Sequence, residues 1–115
     1  MRYDIEELSK IYELFINGMK FFSSDFNKQS QNLKHAALSD ELASDFLHTD
    51  FVRAEILCEN EWITETQMDL MKKIKSILEQ MSLEKNLWSD AAVKNSIEWK
   101  KCREIGKELL ESLGY

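Results

Sequence analysis

The sequence predicts an all-α fold, an antiparallel bundle of five to six helices in a single domain. Three observations carry that expectation. Proline is absent and glycine occurs only at Gly18, Gly106 and Gly114, too few for the tight turns of a sheet protein this size. Apolar residues recur every three or four positions, the spacing of one helix face. Cap signatures punctuate those stretches where one helix must stop and the next begin.

The first helix is expected from about Asp4 to Phe22, with Ile5, Leu8, Tyr12, Phe15, Met19 and Phe22 on one stripe. Ser23 or Ser24 then caps a second segment whose thinner apolar face holds Phe26, Leu33, Ala36 and Ala37. A third helix opens at Ser39, whose hydroxyl can accept an orphan backbone N–H. Asp40 and Glu41 follow in the first turn, where the helix dipole favours negative charge. Leu42, Ala43, Phe46 and Leu47 form its inner face. Continuing that helical phase would drive Asp50 into the middle of the face, so a break is expected near His48-Thr49-Asp50. Thr49 or Asp50 would then cap a short helix through Phe51, Ala54 and Leu57.

Thr64-Glu65-Thr66-Gln67 is a capping box with Ile63 and Met68 placed as its hydrophobic staple. It starts a helix with Leu70, Ile74, Ile77, Leu78 and Met81 on its stripe. Trp88-Ser89 repeats the device, Trp88 being positioned to touch Val93. One last helix then carries Val93, Ile97, Cys102, Ile105, Leu109 and Leu113 to a stop at Gly114.

Charge is divided unevenly along this frame. Between Ser39 and Met71 stand nine carboxylates and one base, Arg53, a net of −8 against −6 for the whole chain. Such crowding costs self-repulsion, and a cationic partner surface is its simplest use. Direct nucleic-acid binding through that region would be repulsive, because affinity there comes from neutralising phosphates. The basic residues of the last helix (Lys94, Lys100, Lys101, Arg103, Lys107) are interleaved with Glu98, Glu104, Glu108 and Glu111 and read as a solvated face.

Other chemistry finds little footing. Glu41, Asp45 and His48 share a helix face, yet one Asp-x-x-His without further ligands is not the set a di-metal bundle uses. His35 has no acidic neighbour at helical spacing. Cys58 and Cys102 lack Cys-x-x-Cys spacing and read as free, buried structural thiols. No Gly-rich phosphate loop occurs, so neither an enzyme nor a cofactor is expected. No apolar run approaches the roughly 20 residues of a membrane span, and the first residues lack the layout of a secretory signal. A cytoplasmic protein without membrane contact is the expectation; self-association is left open.

One family resemblance lies over this frame. Phe15-Ile16, Phe22, Phe26, Leu38-Ser39-Asp40-Glu41-Leu42, Phe46, Phe51, Ile63-Thr64, Leu70, Ile74 and Leu78 carry it. In those positions the chain from Leu14 to Leu78 resembles the small helical immunity proteins that protect bacteria from their own nuclease toxins, particularly the colicin D type. It is similar also to the acidic immunity partners of contact-dependent growth inhibition. The segment from Trp88 to Tyr115 lies outside the likeness. The resemblance implies inhibition by occlusion, an acidic surface covering the basic active-site cleft of a cognate toxin. The residues expected to bind the toxin are Glu41, Asp45, Glu55, Glu59, Glu61, Glu65 and Asp69, with Trp62 as an apolar anchor. Asp40 and Asp50 are assigned to helix caps instead. The alternative reading is a non-enzymatic regulatory or adaptor bundle that binds another basic protein.

Overall fold

The computed structural model describes residues 3–31 and 38–115. Among them are seven α-helices: α1 (Ile5–Phe22), α2 (Phe26–Gln31), α3 (Leu38–Asp45), α4 (Phe51–Glu59), α5 (Glu65–Met81), α6 (Asp90–Asn95) and α7 (Ile97–Ser112). A π-helical turn, Phe46–Asp50, joins α3 to α4, and a 3₁₀ turn, Lys85–Leu87, precedes α6. No strand occurs among the described residues. The expected all-α bundle is the fold found. Leu33, His35, Ala36 and Ala37 lie outside the described residues.

Local signals account for several of these boundaries. Asp4 and Glu7 form a reciprocal capping box at α1, with Glu7 N–H donating to Asp4 Oδ1 at 2.8 Å. Leu8, Phe15, Met19 and Phe22 are then buried along one stripe, whereas Ile5, in the first turn, is exposed. Thr64 and Gln67 form the expected box at α5, and Ile63 and Met68 are both buried in the core. Gly114 (φ 95°) ends α7 in a Schellman motif, Tyr115 N–H donating to the Leu110 carbonyl and Gly114 N–H to that of Glu111. At α2 the cap is Asp25, not Ser23 or Ser24: its carboxylate accepts from Lys28 N–H at 3.0 Å. Ser23 is buried against Gly106, where any added Cβ would collide with its Oγ. That bare glycine lets α7 lie directly on α1.

The core gathers Phe15, Met19, Phe46, Leu57, Met71, Ile74, Trp99 and Leu109, all essentially inaccessible. Helix α5 packs chiefly on α7, and α1 packs on both α4 and α7. Buried polar groups tie helix ends together. Gln29 Nε2 donates to the Phe22 carbonyl at 2.8 Å, satisfying an open end of α1. Gln67 Nε2 donates to Ser112 Oγ at 2.9 Å, clasping the start of α5 to the end of α7.

Three further boundaries depart from expectation. Ser39 does not cap α3; it lies inside the helix, buried, with its Oγ unpartnered. Asp40 and Glu41 do occupy the first turn. The single last helix is two helices. Ser96 adopts an extended backbone (φ −74°, ψ 150°) and its Oγ accepts Trp99 N–H, restarting the helix at Ile97. The restart changes phase: Ile97 is 79% exposed, while Trp99, Cys102, Gly106, Leu109 and Leu110 face inward. Trp88 is half-buried, its Nε1 donating to the Met81 carbonyl at 2.8 Å and its ring meeting Trp99 edge-on at 5.7 Å.

The third departure is the seam at His48-Thr49-Asp50. The chain does not break there, and neither Thr49 nor Asp50 caps a helix. Asp50 has helical dihedrals and no side-chain cap bond, and Phe51 N–H reaches back five residues to the Phe46 carbonyl. At about 100° per residue, Ala54 in an uninterrupted α-helix would stand about 80° around from Phe46. The extra residue of a π-turn removes that offset and lines Leu42 and Phe46 up with Phe51, Ala54 and Leu57. All five are buried. Asp50 is carried inward as well and is only 4% exposed.

Candidate functional site

The turn between α4 and α5 concentrates carboxylates because its backbone reverses within five residues. Helix α4 ends at Glu59, Asn60 caps it, and Glu61 takes a left-handed conformation (φ 63°). Trp62 N–H then donates to the Leu57 carbonyl at 2.8 Å, and Glu61 N–H to that of Cys58 at 3.1 Å. This is a second Schellman motif, with glutamate where glycine is usual. The left-handed region costs a residue with a Cβ about 1 kcal/mol or more. Glu61→Gly is therefore expected to raise stability by about 1 kcal/mol, read as a higher urea midpoint at unchanged slope.

Reversing the chain here sets Cys58, Glu59, Glu61, Ile63, Thr64 and Glu65 around one open depression of about 440 Å³. Three of the expected toxin-binding residues, Glu59, Glu61 and Glu65, thus share a rim, and all three are exposed. Asp69 stands one turn further along α5 and Glu55 one turn back along α4, both exposed. None of these five carboxylates is ion-paired among the described residues. Trp62 is half-buried; its ring packs on Tyr12 of α1 at 5.9 Å, closing the turn onto the core while one part stays open.

Glu41 and Asp45 do not line this depression. They lie on α3, Glu41 half-buried and Asp45 exposed. Asp45 instead lines a separate pocket with Asp50, Thr49 and Arg53 of the π-turn and α4 and with Gly18, Phe21 and Phe22 of α1. Glu41, Asp45 and His48 do not form a metal-ligand group; no set of three histidine, cysteine, aspartate or glutamate residues suited to an ion occurs among the described residues.

Cys58 belongs to the site and was missing from the expected set. Both cysteines are free, but only Cys102 is the buried thiol expected; Cys58 is half-exposed, its Sγ donating to Glu65 Oε1 at 3.6 Å. Burial raises its pKa, the Glu65 carboxylate raises it further, and Lys72 opposes them. The thiol is held protonated, the reverse of what a nucleophilic cysteine needs. Burial pushes Cys102 up to about 12. A sequence signal for the first contact existed: Cys58 directly precedes Glu59 and stands seven residues before Glu65, a spacing that only a tight helix–turn–helix brings together. Set beside family models, curated proteins and solved structures, the chain matches none of them, so its function is argued from this site alone.

Proposed function

We propose that this chain is an immunity protein that binds a basic nuclease toxin and blocks its active-site cleft with the α4–α5 turn. The observation that carries the reading is the shared rim of Glu59, Glu61 and Glu65, exposed and without ion pairs among the described residues, beside a half-buried tryptophan. Carboxylates on a stiff turn can occupy the places of substrate phosphates in a cationic cleft. Their summed field speeds encounter, and salt weakens it. Trp62, anchored on Tyr12, supplies the apolar centre that an acidic rim would surround. Asp69 and Glu55 extend the rim along the two helices. Glu41 and Asp45, on α3, contribute only to the general field.

The test is co-expression with a candidate nuclease toxin. Wild-type chain is expected to protect the cells. Reversal of Glu59, Glu61 and Glu65 to lysine is expected to abolish protection and slow association by roughly 10–10³-fold at low salt, while the helical circular dichroism stays unchanged. Full protection by the triple variant would refute this site.

A further inference from the structure

The pocket between α1 and the π-turn holds a group that no described residue satisfies. Asp50 is 4% exposed, and its carboxylate has neither a hydrogen bond nor an ion pair among the described residues. A carboxylate buried without a partner is costly and is retained where something offsets it. The group opens onto a cavity of about 260 Å³, lined by Gly18, Phe21, Phe22, Leu42, Asp45, Thr49 and Arg53 together with Asp50 itself. Apolar cavities of about 150 Å³ already hold a benzene-sized guest. Gly18 fits this arrangement: a Cβ there would collide with Asp50 Oδ1, so the carboxylate rests on bare backbone.

We propose that this pocket binds the primary ammonium head of an alkylamine, with the head between Asp50 and Asp45 and the stem against the aromatic wall. The chemistry matches in number. An ammonium has three N–H donors, and the pocket offers two carboxylates and the Thr49 hydroxyl as acceptors. Phe21, Phe22 and Leu42 line the rest of the cavity, giving the methylene stem apolar surface. Arg53 also lines it, so with both aspartates ionised the described lining carries two negative charges and one positive, leaving one net negative charge for the guest. A metal ion is a poorer guest, since among the described residues no third ligand of the usual kind joins the two aspartates. Burial raises the Asp50 pKa most, Asp45 raises it further and Arg53 lowers it; no charged residue of α1 lines the pocket. A bound cation would therefore displace a proton. The α4–α5 depression plays no part in this binding, which stands apart from the immunity reading.

Two probes distinguish a free amine from a lysine side chain of a partner: n-butylammonium, and the capped peptide acetyl-glycyl-lysyl-glycinamide. Each is titrated into the isotopically labelled chain while the Gly18 and Thr49 backbone amides are followed by NMR. Saturable shifts at both amides are expected for at least one probe, with a Kd on the order of 1 mM. Binding should be about tenfold or more weaker at about pH 5.5 than at about pH 8.5, because the proton competes. Asp50→Asn, isosteric and uncharged, should lose the response at both pH values; Glu55→Gln, a carboxylate outside the pocket, should keep it. Response to the amine alone identifies a free amine as the source, and response to the peptide, alone or with the amine, a lysine side chain. Absence of saturation with both probes, or an equal response in Asp50→Asn, would overturn the proposal.

Discussion

Trp99→Ala is expected to cost about 3–5 kcal/mol, the range for deleting a buried large aromatic. Trp99 is 1% exposed and among the largest fully buried side chains of the core. Its Nε1 donates to the Leu87 carbonyl at 2.7 Å, and its ring receives Trp88 edge-on at 5.7 Å. Alanine would thus empty a core site, leave the Leu87 carbonyl without its donor and strip Trp88 of its partner. Domains of this kind have only about 5–15 kcal/mol in total, so roughly a fifth or more of the stability is at stake. Urea denaturation followed by circular dichroism reads the effect as a lowered midpoint. Trp99→Phe restores most of the volume but not the hydrogen bond and should fall between. A cost below about 1 kcal/mol for alanine would mean that the 3₁₀ turn and α7 do not meet through this residue.

Asp50→Asn should stabilise the protein, and by an amount set by pH. Burial, helped by Asp45 and opposed by Arg53, raises the Asp50 pKa from 3.8 to about 7. Below about pH 4 the group is neutral in both folded and unfolded chains and carries no penalty. Between about pH 4 and 7 the unfolded chain releases its proton while the folded one keeps it, so wild-type stability falls as pH rises. Above about pH 8 the full cost is present, on the order of 4 kcal/mol at 1.36 kcal/mol per unit. Asparagine never ionises. Its stability should match wild type near pH 4 and exceed it increasingly up to pH 8. Parallel stability–pH curves for the two proteins would show that the Asp50 carboxylate reaches water.

What could be read from the chain in advance was what neighbouring residues decide among themselves. The box at Thr64 and Gln67, the stripe of α1 and the stop at Gly114 involve contacts within a few residues, and sequence spacing records them. So does the acidic rim, since Glu59, Glu61 and Glu65 lie within seven positions of one another. Helix azimuths set by distant packing were not recorded. Nothing near Asp45 tells whether α3 turns it toward the α4–α5 rim or toward Gly18, because α1 decides that. Ser96 reads as an ordinary interior residue until Trp99 must reach Leu87. The conflict at Asp50 was visible as two apolar stripes out of phase around a charged residue. Its resolution was not: a broken helix relieves the charge, whereas the π-turn keeps the chain continuous and buries the carboxylate.

The stretch between Phe46 and Phe51 therefore carries one residue more than a regular helix would need there. Removing one would let the backbone relax into regular α-helix, and the step from Phe46 to Ala54, cut to about seven residues, would stay within about 20° of alignment. Ala54 and Leu57 would keep facing the interior, whereas one added residue would swing α4 by about 100° and present its wrong side to its neighbours. Shortening this stretch by one spares the orientation of the whole rod; lengthening it by one rewrites it.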